Sequence, residues 1–397
     1  MVFLQHWRLR APERKDMIDA KDALKRLDEI DGELLKLFRE RFAVSRDIAL
    51  SSDADAATFE PARDRAMLSR ALSEASPEDV NAIRLLFTSL FDMAKAGRRR
   101  AARGESSLVG EIVRASESHS HPFPSQSFVA CCGTEGSYAQ QAVSRLFKAP
   151  TIVYFSGFEN VFVAVEKGLC PYGVLPVENS AVGSVAAVYD LMQKHSFHIA
   201  RAMRLKVDHV LLALPGVKIG DVREISSHPH ALTQCAAFLK SMADVKAVPA
   251  VNTAVAAREL ALSGRRDAAV IASRACAELY GLDVIAGRVQ DAVYNYTRFI
   301  CITKDLEIYP DANRISIMLS LPHRPGALAA IISRFAAVDV NLTKLESRPI
   351  PGMDFEFSFV FDFEASPSDP AVLALLSELS LDPEIERFEF LGAYQEK

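Results

Sequence analysis

The sequence predicts a multidomain protein in which an all-α segment, an α/β segment and an α+β segment follow one another. Three observations carry this. The N-terminal stretch repeats its apolar positions at helical spacing, and from Glu13 to Asp53 it holds no proline and only one glycine, Gly32. The middle of the chain alternates short apolar runs with helical stretches. The last part switches to period two, with phenylalanine at every odd position from 355 to 363.

A length of 397 residues accommodates two to four domains at roughly 100–200 residues each. With 49% hydrophobic and 24% charged residues, the composition is that of a soluble globular protein. A net charge of -5 argues against a nucleic-acid partner. No apolar run is long enough to span a membrane, and M-V-F-L-Q-H-W-R-L-R lacks a secretory apolar core, so a cytoplasmic protein is expected. The six cysteines are scattered with no C-x-x-C pair. Neither a zinc site nor a disulfide framework is signalled, and small buried hydrophobes are the expected role.

In the first segment Leu27, Ile30, Leu34 and Leu37 recur at 3-4-3 spacing among charges, an amphipathic helix. Spanning about Glu13 to Asp53, it would approach roughly 50–60 Å, longer than a small domain is wide. A second copy of the chain is the natural cover for its apolar stripe. A second helix is expected from Pro61. A third is announced by S-P-E-D at 76–79, with Ser76 as N-cap and Pro77 in the first turn, and it runs to about Arg103. Its closing G-R-R-R-A-A-R-G reads as a solvated helix end. These helices make a domain over 1–105.

Residues 106–126 carry S-E-S-H-S-H-P-F-P-S and read as a linker, with His119 and His121 as surface residues rather than metal ligands. From 127 to 305, the runs S-F-V-A-C-C, T-I-V-Y-F, Y-G-V-L-P, H-V-L-L-A-L and A-A-V-I-A-S alternate with helices near 138–148, 230–242 and 253–263. That alternation predicts an α/β domain large enough for two lobes with a cleft between them. Residues 310–397 read β-α-β-β-α-β, a ferredoxin-like unit. Its fourth element, F-E-F-S-F-V-F-D-F, has the period of a strand with one buried aromatic face.

Polar clusters fall where the apolar runs of the middle domain end. G-T-E-G-S-Y at 133–138 opens a helix, and its glycines allow close backbone approach. P-V-E-N-S-A-V-G places Glu178, Asn179 and Ser180 just beyond a strand, where ligands bind in open α/β sheets. S-S-H-P-H-A-L-T-Q-C puts Ser227 ahead of a helix with Gln234 inside it. In Y-N-Y-T-R-F-I-C-I-T, Thr297 stands at the mouth of a buried strand, either as an ordinary β-former or as a working hydroxyl.

Taken in order, G-x-x-G-S-Y, P-V-E-N-S-x-x-G, S-H-P-x-A-L-x-Q-C and V-Q-D-x-x-x-N-x-T-R-F resemble the prephenate dehydratase family. H-R-P-G-A-L and N-L-T-K-L-E-S-R-P are similar to the phenylalanine-sensing ACT domain. L-D-E-I-D-G-E-L-L-K-L-F-R-E-R is similar to the helix of AroQ-type chorismate mutases. Over nearly its whole length the chain resembles the bifunctional chorismate mutase–prephenate dehydratases, whose dehydratase domain has two periplasmic-binding-protein-like lobes.

The resemblance implies decarboxylating dehydration of prephenate to phenylpyruvate in phenylalanine biosynthesis, without metal or redox cofactor. Thr297 matches the family's catalytic threonine as hydrogen-bond donor to the leaving hydroxyl. Glu178 is implied as a proton source, with Asn179 and Gln234 completing the catalytic set. Ser137, Ser180, Ser227, Arg298 and Phe299 are the implied substrate-binding residues; Arg298 faces either substrate or a structural partner. Thr134 and His230 depart from the family's proline and glutamine. In the ACT segment, Gly326, Ala327, Leu328, Asn341, Glu346, Ser347, Arg348 and Pro349 are the implied site of L-phenylalanine as allosteric effector, in a homodimer or dimer of dimers.

The mutase-like helices depart furthest. Arg41 matches a carboxylate-binding arginine, and Arg63 with Asp64 matches the Arg-Glu pair of the second helix. An earlier arginine position falls on Leu24, the lysine position on Ser52, and the late glutamine near Ala96 or Gly97. A mutase-like domain kept mainly for dimerisation, with little turnover of chorismate, is therefore expected. The alternatives are a fully bifunctional enzyme, an arogenate dehydratase and a non-catalytic amino-acid sensor.

Overall fold

The computed structural model describes residues 20–50, 54–103, 106–242, 244–353 and 356–397. The chain forms two compact units with the boundary between residues 104 and 105. Among the described residues no helix is long and apolar enough to cross a membrane.

The first unit is helical: α1 (Ala20–Leu50), α2 (Ala54–Ser73) and α3 (Val80–Arg103). With 31 residues, α1 is about 46 Å long at 1.5 Å per residue. It packs along α3, where Gly97 admits the Phe42 ring so closely that a Cβ at that position would lie 2.4 Å from Phe42 Cζ. Leu24, Leu27, Leu34 and Leu37 are more than half exposed in this single chain, so the apolar stripe read from the sequence is present on α1. Two starts differ from expectation. The helix expected from Pro61 begins at Ala54, because the alanine-rich turn before the proline favours helix. The helix expected from Pro77 begins at Val80, since Ser76 donates its hydroxyl to Asp79 Oδ2 at 2.6 Å and closes a turn there instead. Ser52 and the stretch before Ala20 lie outside the described residues.

The second unit opens with α4 (Ser107–Ser118), where a linker was expected. Ser106 caps it by accepting from Leu108 N, while Ile112 and Ala115 are buried against the C-terminal segment. Apolar residues at 108, 112 and 115 supply one face; a helix so short holds only because that face is covered.

A first lobe follows: β1 (Phe128–Cys132), α5 (Tyr138–Leu146), β2 (Thr151–Phe155), α6 (Phe158–Glu166), β3 (Tyr172–Asn179), β4 (Gly183–Ser184), α7 (Ala186–Met192) and β5 (His198–Lys206). The chain then crosses into a second lobe of β6 (His209–Ala213), β7 (Glu224–Ser227), α8 (Pro229–Gln234), α9 (Ala236–Ser241), β8 (Lys246–Pro249), α10 (Thr253–Ser263), β9 (Ala268–Ser273), α11 (Arg274–Tyr280) and β10 (Asp283–Ala286). It returns to the first lobe as β11 (Tyr296–Thr303). The helix expected over 230–242 is thus broken into α8 and α9 at the buried Cys235. The second lobe is a sheet ordered β10-β6-β9-β7-β8. Helical layers cover both its faces, which is why H-V-L-L-A and A-A-V-I-A-S are buried at every position. Cys131, Cys170, Cys235, Cys276 and Cys301 are buried thiols in these cores.

The C-terminal segment is β12 (Arg314–Leu321), α12 (Ala327–Ala337), β13 (Asn341–Pro349), β14 (Phe357–Glu364), α13 (Pro370–Ser380) and β15 (Arg387–Glu396). Its strands join the first lobe in one sheet, β13-β14-β12-β15-β5-β11-β3-β1-β2, with β15 parallel to β5 through Gln395↔Arg201 and Glu396↔Ala202. Gly392 makes this close approach possible: a Cβ there would meet Ile199 O at 2.3 Å. The aromatic face of β14 carries Phe361 and Phe363 into the core under α12 and α13. Its other face is buried too: Val360 joins the first lobe's core, and Ser358 and Asp362 are enclosed. Phe355 lies outside the described residues.

Candidate active site

The site forms where the chain crosses between lobes. In the sheet, Thr297 of β11 pairs with Asn179 of β3, and Arg298 with Glu178. Side chains alternate along a strand. Asn179 and Thr297 therefore point to the junction of the two lobes, and Glu178 and Arg298 point the opposite way.

On the junction side Asn179 Nδ2 donates to Thr297 Oγ1 at 3.0 Å and to Asn295 Oδ1 at 2.8 Å. Asn179 Oδ1 accepts from the backbone N–H groups of Ala181 and Val182 at 3.0 and 3.1 Å. Backbone amides only donate, so these two bonds fix which end of Asn179 is oxygen. Gln234, reaching across from the second lobe, donates Nε2 to the same Oδ1 at 3.2 Å. Its Oε1 accepts from Asn295 Nδ2 at 3.1 Å and lies 3.0 Å from His209 Nε2. Tyr138 adds its hydroxyl, donated to Asp208 O at 2.8 Å and 3.3 Å from His209 Nδ1. Burial holds His209 below the ordinary histidine value and Tyr138 well above the ordinary tyrosine value. The Thr297 oxygen accepts from Asn179, and its own O–H proton meets no acceptor among the described residues.

The other predicted substrate residues divide. Ser137 caps α5, accepting from Gln140 N at 3.3 Å, and keeps its hydroxyl proton. The adjacent Gly136 carries no side chain because a Cβ would come within 2.9 Å of Cys276 Sγ. Ser180 is exposed, and its Oγ accepts from Tyr296 N at 2.9 Å. Ser227 is 0% exposed and donates to Ile271 O at 2.6 Å; it is a buried structural hydroxyl, not a ligand contact. Phe299 is core, packed with Val129, Cys131 and Met203.

The alternation itself corrects Glu178 and turns Arg298 to the second of its two expected surroundings. Glu178 pairs with Lys344 Nζ of β13 at 3.1 Å and does not face Thr297. Arg298 is buried among Asp362, Tyr394 and Glu396 of the C-terminal segment, with Nη2 donating to Tyr394 Oη at 2.9 Å. It is a structural partner rather than a substrate clamp. The two residues beside Thr297 and Asn179 thus hold the C-terminal segment.

The regulatory set splits across β13. Gly326, in the left-handed region, starts α12, and Ala327 and Leu328 pack in the core under the helices. Glu346 accepts from Ser184 Oγ at 2.6 Å, and Arg348 grips Asp190 through Nε at 2.9 Å and Nη2 at 2.8 Å. Both face the first lobe. Register places Ser347 opposite Phe359, on the other face of the strand, where it is exposed. Asn341 donates to Glu364 Oε2 at 3.1 Å, and exposed Pro349 ends the strand.

In the first unit Arg41 donates to Leu90 O at 3.1 Å and lies over the Phe91 ring. Arg63 is exposed beside the buried Asp64, with 3.6 Å between Nη1 and Oδ1. Leu24 offers no charge, and Ala96 and Gly97 no donor.

Sequence reading missed three site residues. Asn295 lies within the quoted Y-N-Y-T-R-F, two residues from Thr297, which is its signal. Tyr138 ends G-T-E-G-S-Y, and His209 opens H-V-L-L-A, where it reads as the first residue of a strand. Among the described residues no group of three or more histidine, cysteine or acidic side chains is placed to hold a metal.

Residues 129–307 match the prephenate dehydratase family model, and residues 24–98 match chorismate mutase type II. Arogenate dehydratase/prephenate dehydratase 2 of Arabidopsis thaliana is 38% identical over 263 residues, covering 63% of this chain and 68% of that protein. Arogenate dehydratase 2 of Petunia hybrida is 36% identical, with the same coverage of 63% and 68%. Among solved structures, a prephenate dehydratase from Arthrobacter aurescens in complex with L-Phe superposes with a TM-score of 0.61 at 28% identity. The match covers 67% of this chain and 89% of that one.

Proposed function

The chain belongs to the arogenate/prephenate dehydratase family, and from that membership we propose that prephenate is dehydrated and decarboxylated at Thr297. The observation that carries this is the Thr297 hydroxyl, whose oxygen is held by Asn179 and whose proton is left for a ligand. In the reaction the bond from the ring to its carboxylate breaks and its electron pair becomes the third ring double bond. The ring C–O bond breaks at the same time, CO2 departs, and the hydroxide takes up one proton to leave as water. A donor at that oxygen stabilises charge that develops only in the transition state. Ser137 and Ser180, at the ends of α5 and β3, are suited to the substrate's carboxylates, and Gln234 ties the second lobe to the reacting one. Arogenate, with an amino group in place of the keto group, shares the reacting ring, so kcat/KM for each substrate decides the preference.

Regulation by L-phenylalanine follows from the same sheet. An effector bound on the C-terminal segment acts on turnover only if it favours one arrangement of that segment. Lys344 and Asp362 hold the residues next to Asn179 and Thr297, which gives such a rearrangement a direct mechanical route. Saturating phenylalanine with unchanged prephenate turnover would remove this part of the reading.

The first unit is proposed as a dimerisation domain of mutase type with little mutase activity. Arg41 is engaged by Leu90 O and Phe91, and the space at Gly97 where a glutamine would project is occupied by the Phe42 ring. The exposed leucines of α1 suit a second copy of the chain. Chorismate consumption at an ordinary enzymatic kcat, about 1–10³ s⁻¹, would establish a bifunctional enzyme instead.

A further inference from the structure

We propose that His209 is a positioning residue for the dehydration, its ring N–H setting the far end of a one-directional hydrogen-bond chain that ends on Thr297. This rests on the reading of Thr297 as donor to the leaving hydroxyl. The direction of every link follows from two backbone groups. Ala181 N and Val182 N donate to Asn179 Oδ1, so Asn179 turns its NH2 to Thr297 and Asn295. Gln234 meets that same Oδ1 with its nitrogen, so its oxygen faces Asn295 Nδ2 and His209. An amide oxygen has no proton to give, so His209 must carry hydrogen on Nε2. The chain then reads His209 Nε2–H to Gln234 Oε1, Gln234 Nε2–H to Asn179 Oδ1, and Asn179 Nδ2–H to Thr297 Oγ1.

His209 is well placed for this. It is 3% exposed and opens β6 where the chain crosses between lobes. Its backbone is fixed on both sides, with N accepted by Gln290 Oε1 at 2.8 Å and O accepting from Val289 N at 3.1 Å. Gln234, by contrast, ends a six-residue helix; its nitrogen is directed by Asn179 Oδ1, and the His209 N–H secures its oxygen end in that same orientation. Flipped, it would turn an oxygen to Asn179 Oδ1, and two acceptors would oppose each other. Asn179 keeps its two backbone N–H bonds in either case, but it and the Thr297 hydroxyl would lose the contact that ties them to the second lobe.

The test compares three substitutions in the full chain with prephenate turnover. His209→Leu and His209→Asn remove the donor at the Nε2 position, whereas His209→Gln places an amide NH2 there. Leu and Asn are expected to lower kcat about tenfold, the loss of one oriented hydrogen bond, with KM nearly constant. Gln is expected to restore most of kcat. In a Thr297→Val background His209→Leu should have almost no further effect, because both act on one donor. Should His209→Leu fail to fold, the Asn and Gln pair decides alone. Equal kcat for Asn, Gln and the parent overturns the proposal. So does a full His209 effect that persists when Thr297→Val has already lowered kcat. If Thr297→Val leaves kcat unchanged, the reading of Thr297 fails first and the proposal falls with it.

Discussion

Thr297→Val separates the chemistry of the site from its folding. Valine keeps the shape of threonine and removes only the hydroxyl, which accepts from Asn179 Nδ2 at 3.0 Å. Asn179 is not orphaned by the change, since Nδ2 keeps Asn295 Oδ1 at 2.8 Å and Tyr296 O at 3.3 Å. The folding cost is therefore that of one partly exposed hydrogen bond, about 1 kcal/mol. The catalytic cost is larger. A preorganised donor to an oxygen that gains charge in the transition state is worth about 10²–10³ in kcat, or about 3–4 kcal/mol. The leaving hydroxyl is neutral in bound prephenate, so KM should move little. The assay is phenylpyruvate formation from prephenate, with kcat and KM separated and the denaturation midpoint measured alongside. Turnover within about threefold of the parent, equivalent to about 0.6 kcal/mol, would refute the reasoning and return Thr297 to the role of an ordinary strand residue.

Four further outcomes follow from the geometry. Glu178→Gln should leave kcat within about threefold, because the carboxylate pairs with Lys344 on the face away from Thr297; a loss of about 10²-fold would restore it as the acid. Lys344→Ala, at the same contact, should weaken inhibition by phenylalanine while basal turnover persists, and unchanged inhibition would break the proposed route. Ser227→Ala should cost about 1 kcal/mol of stability by removing its bond to Ile271 O, with no change in kcat per folded molecule. Stability should also fall with acid. Burial holds His198 and His209 below the ordinary value, so the unfolded chain takes up their protons first. Their contribution is complete above about pH 6.5 and is lost as pH falls below it. Denaturation midpoints at about pH 7.5 and about pH 5.5 check this, and a higher midpoint in acid contradicts it.

Much of the candidate site was legible because its residues lie in short motifs at strand ends. Asn179, Thr297 and Gln234 come from three separate motifs, and the fold brings them within hydrogen-bond reach of one another. The same motifs misplaced Glu178 and Ser227 and left the direction of Arg298 open. Glu178 and Asn179 are neighbours, as are Arg298 and Thr297, and period two says that each pair faces opposite ways without saying which way is the site. His209 was invisible for a related reason: it reads as the first residue of an apolar strand, and its partner Gln234 lies in another motif.

The element types of all three segments follow from the sequence alone, since helical and strand periods belong to residues close along the chain. So does the β-α-β-β-α-β order of the last segment, from Arg314 to Glu396. Only the tertiary structure decided that residues 107–118 form a helix, because its apolar face has no reason to order until α13 and the C-terminal core cover it. Only the tertiary structure decided which face of β3 and β11 holds the chemistry. That choice is made where β15 pairs with β5, Gln395 beside Arg201, and fills the other face with Asp362, Tyr394 and Lys344. Contacts between residues so far apart depend on loop closure and on the burial of both partners at once, and no local pattern encodes either.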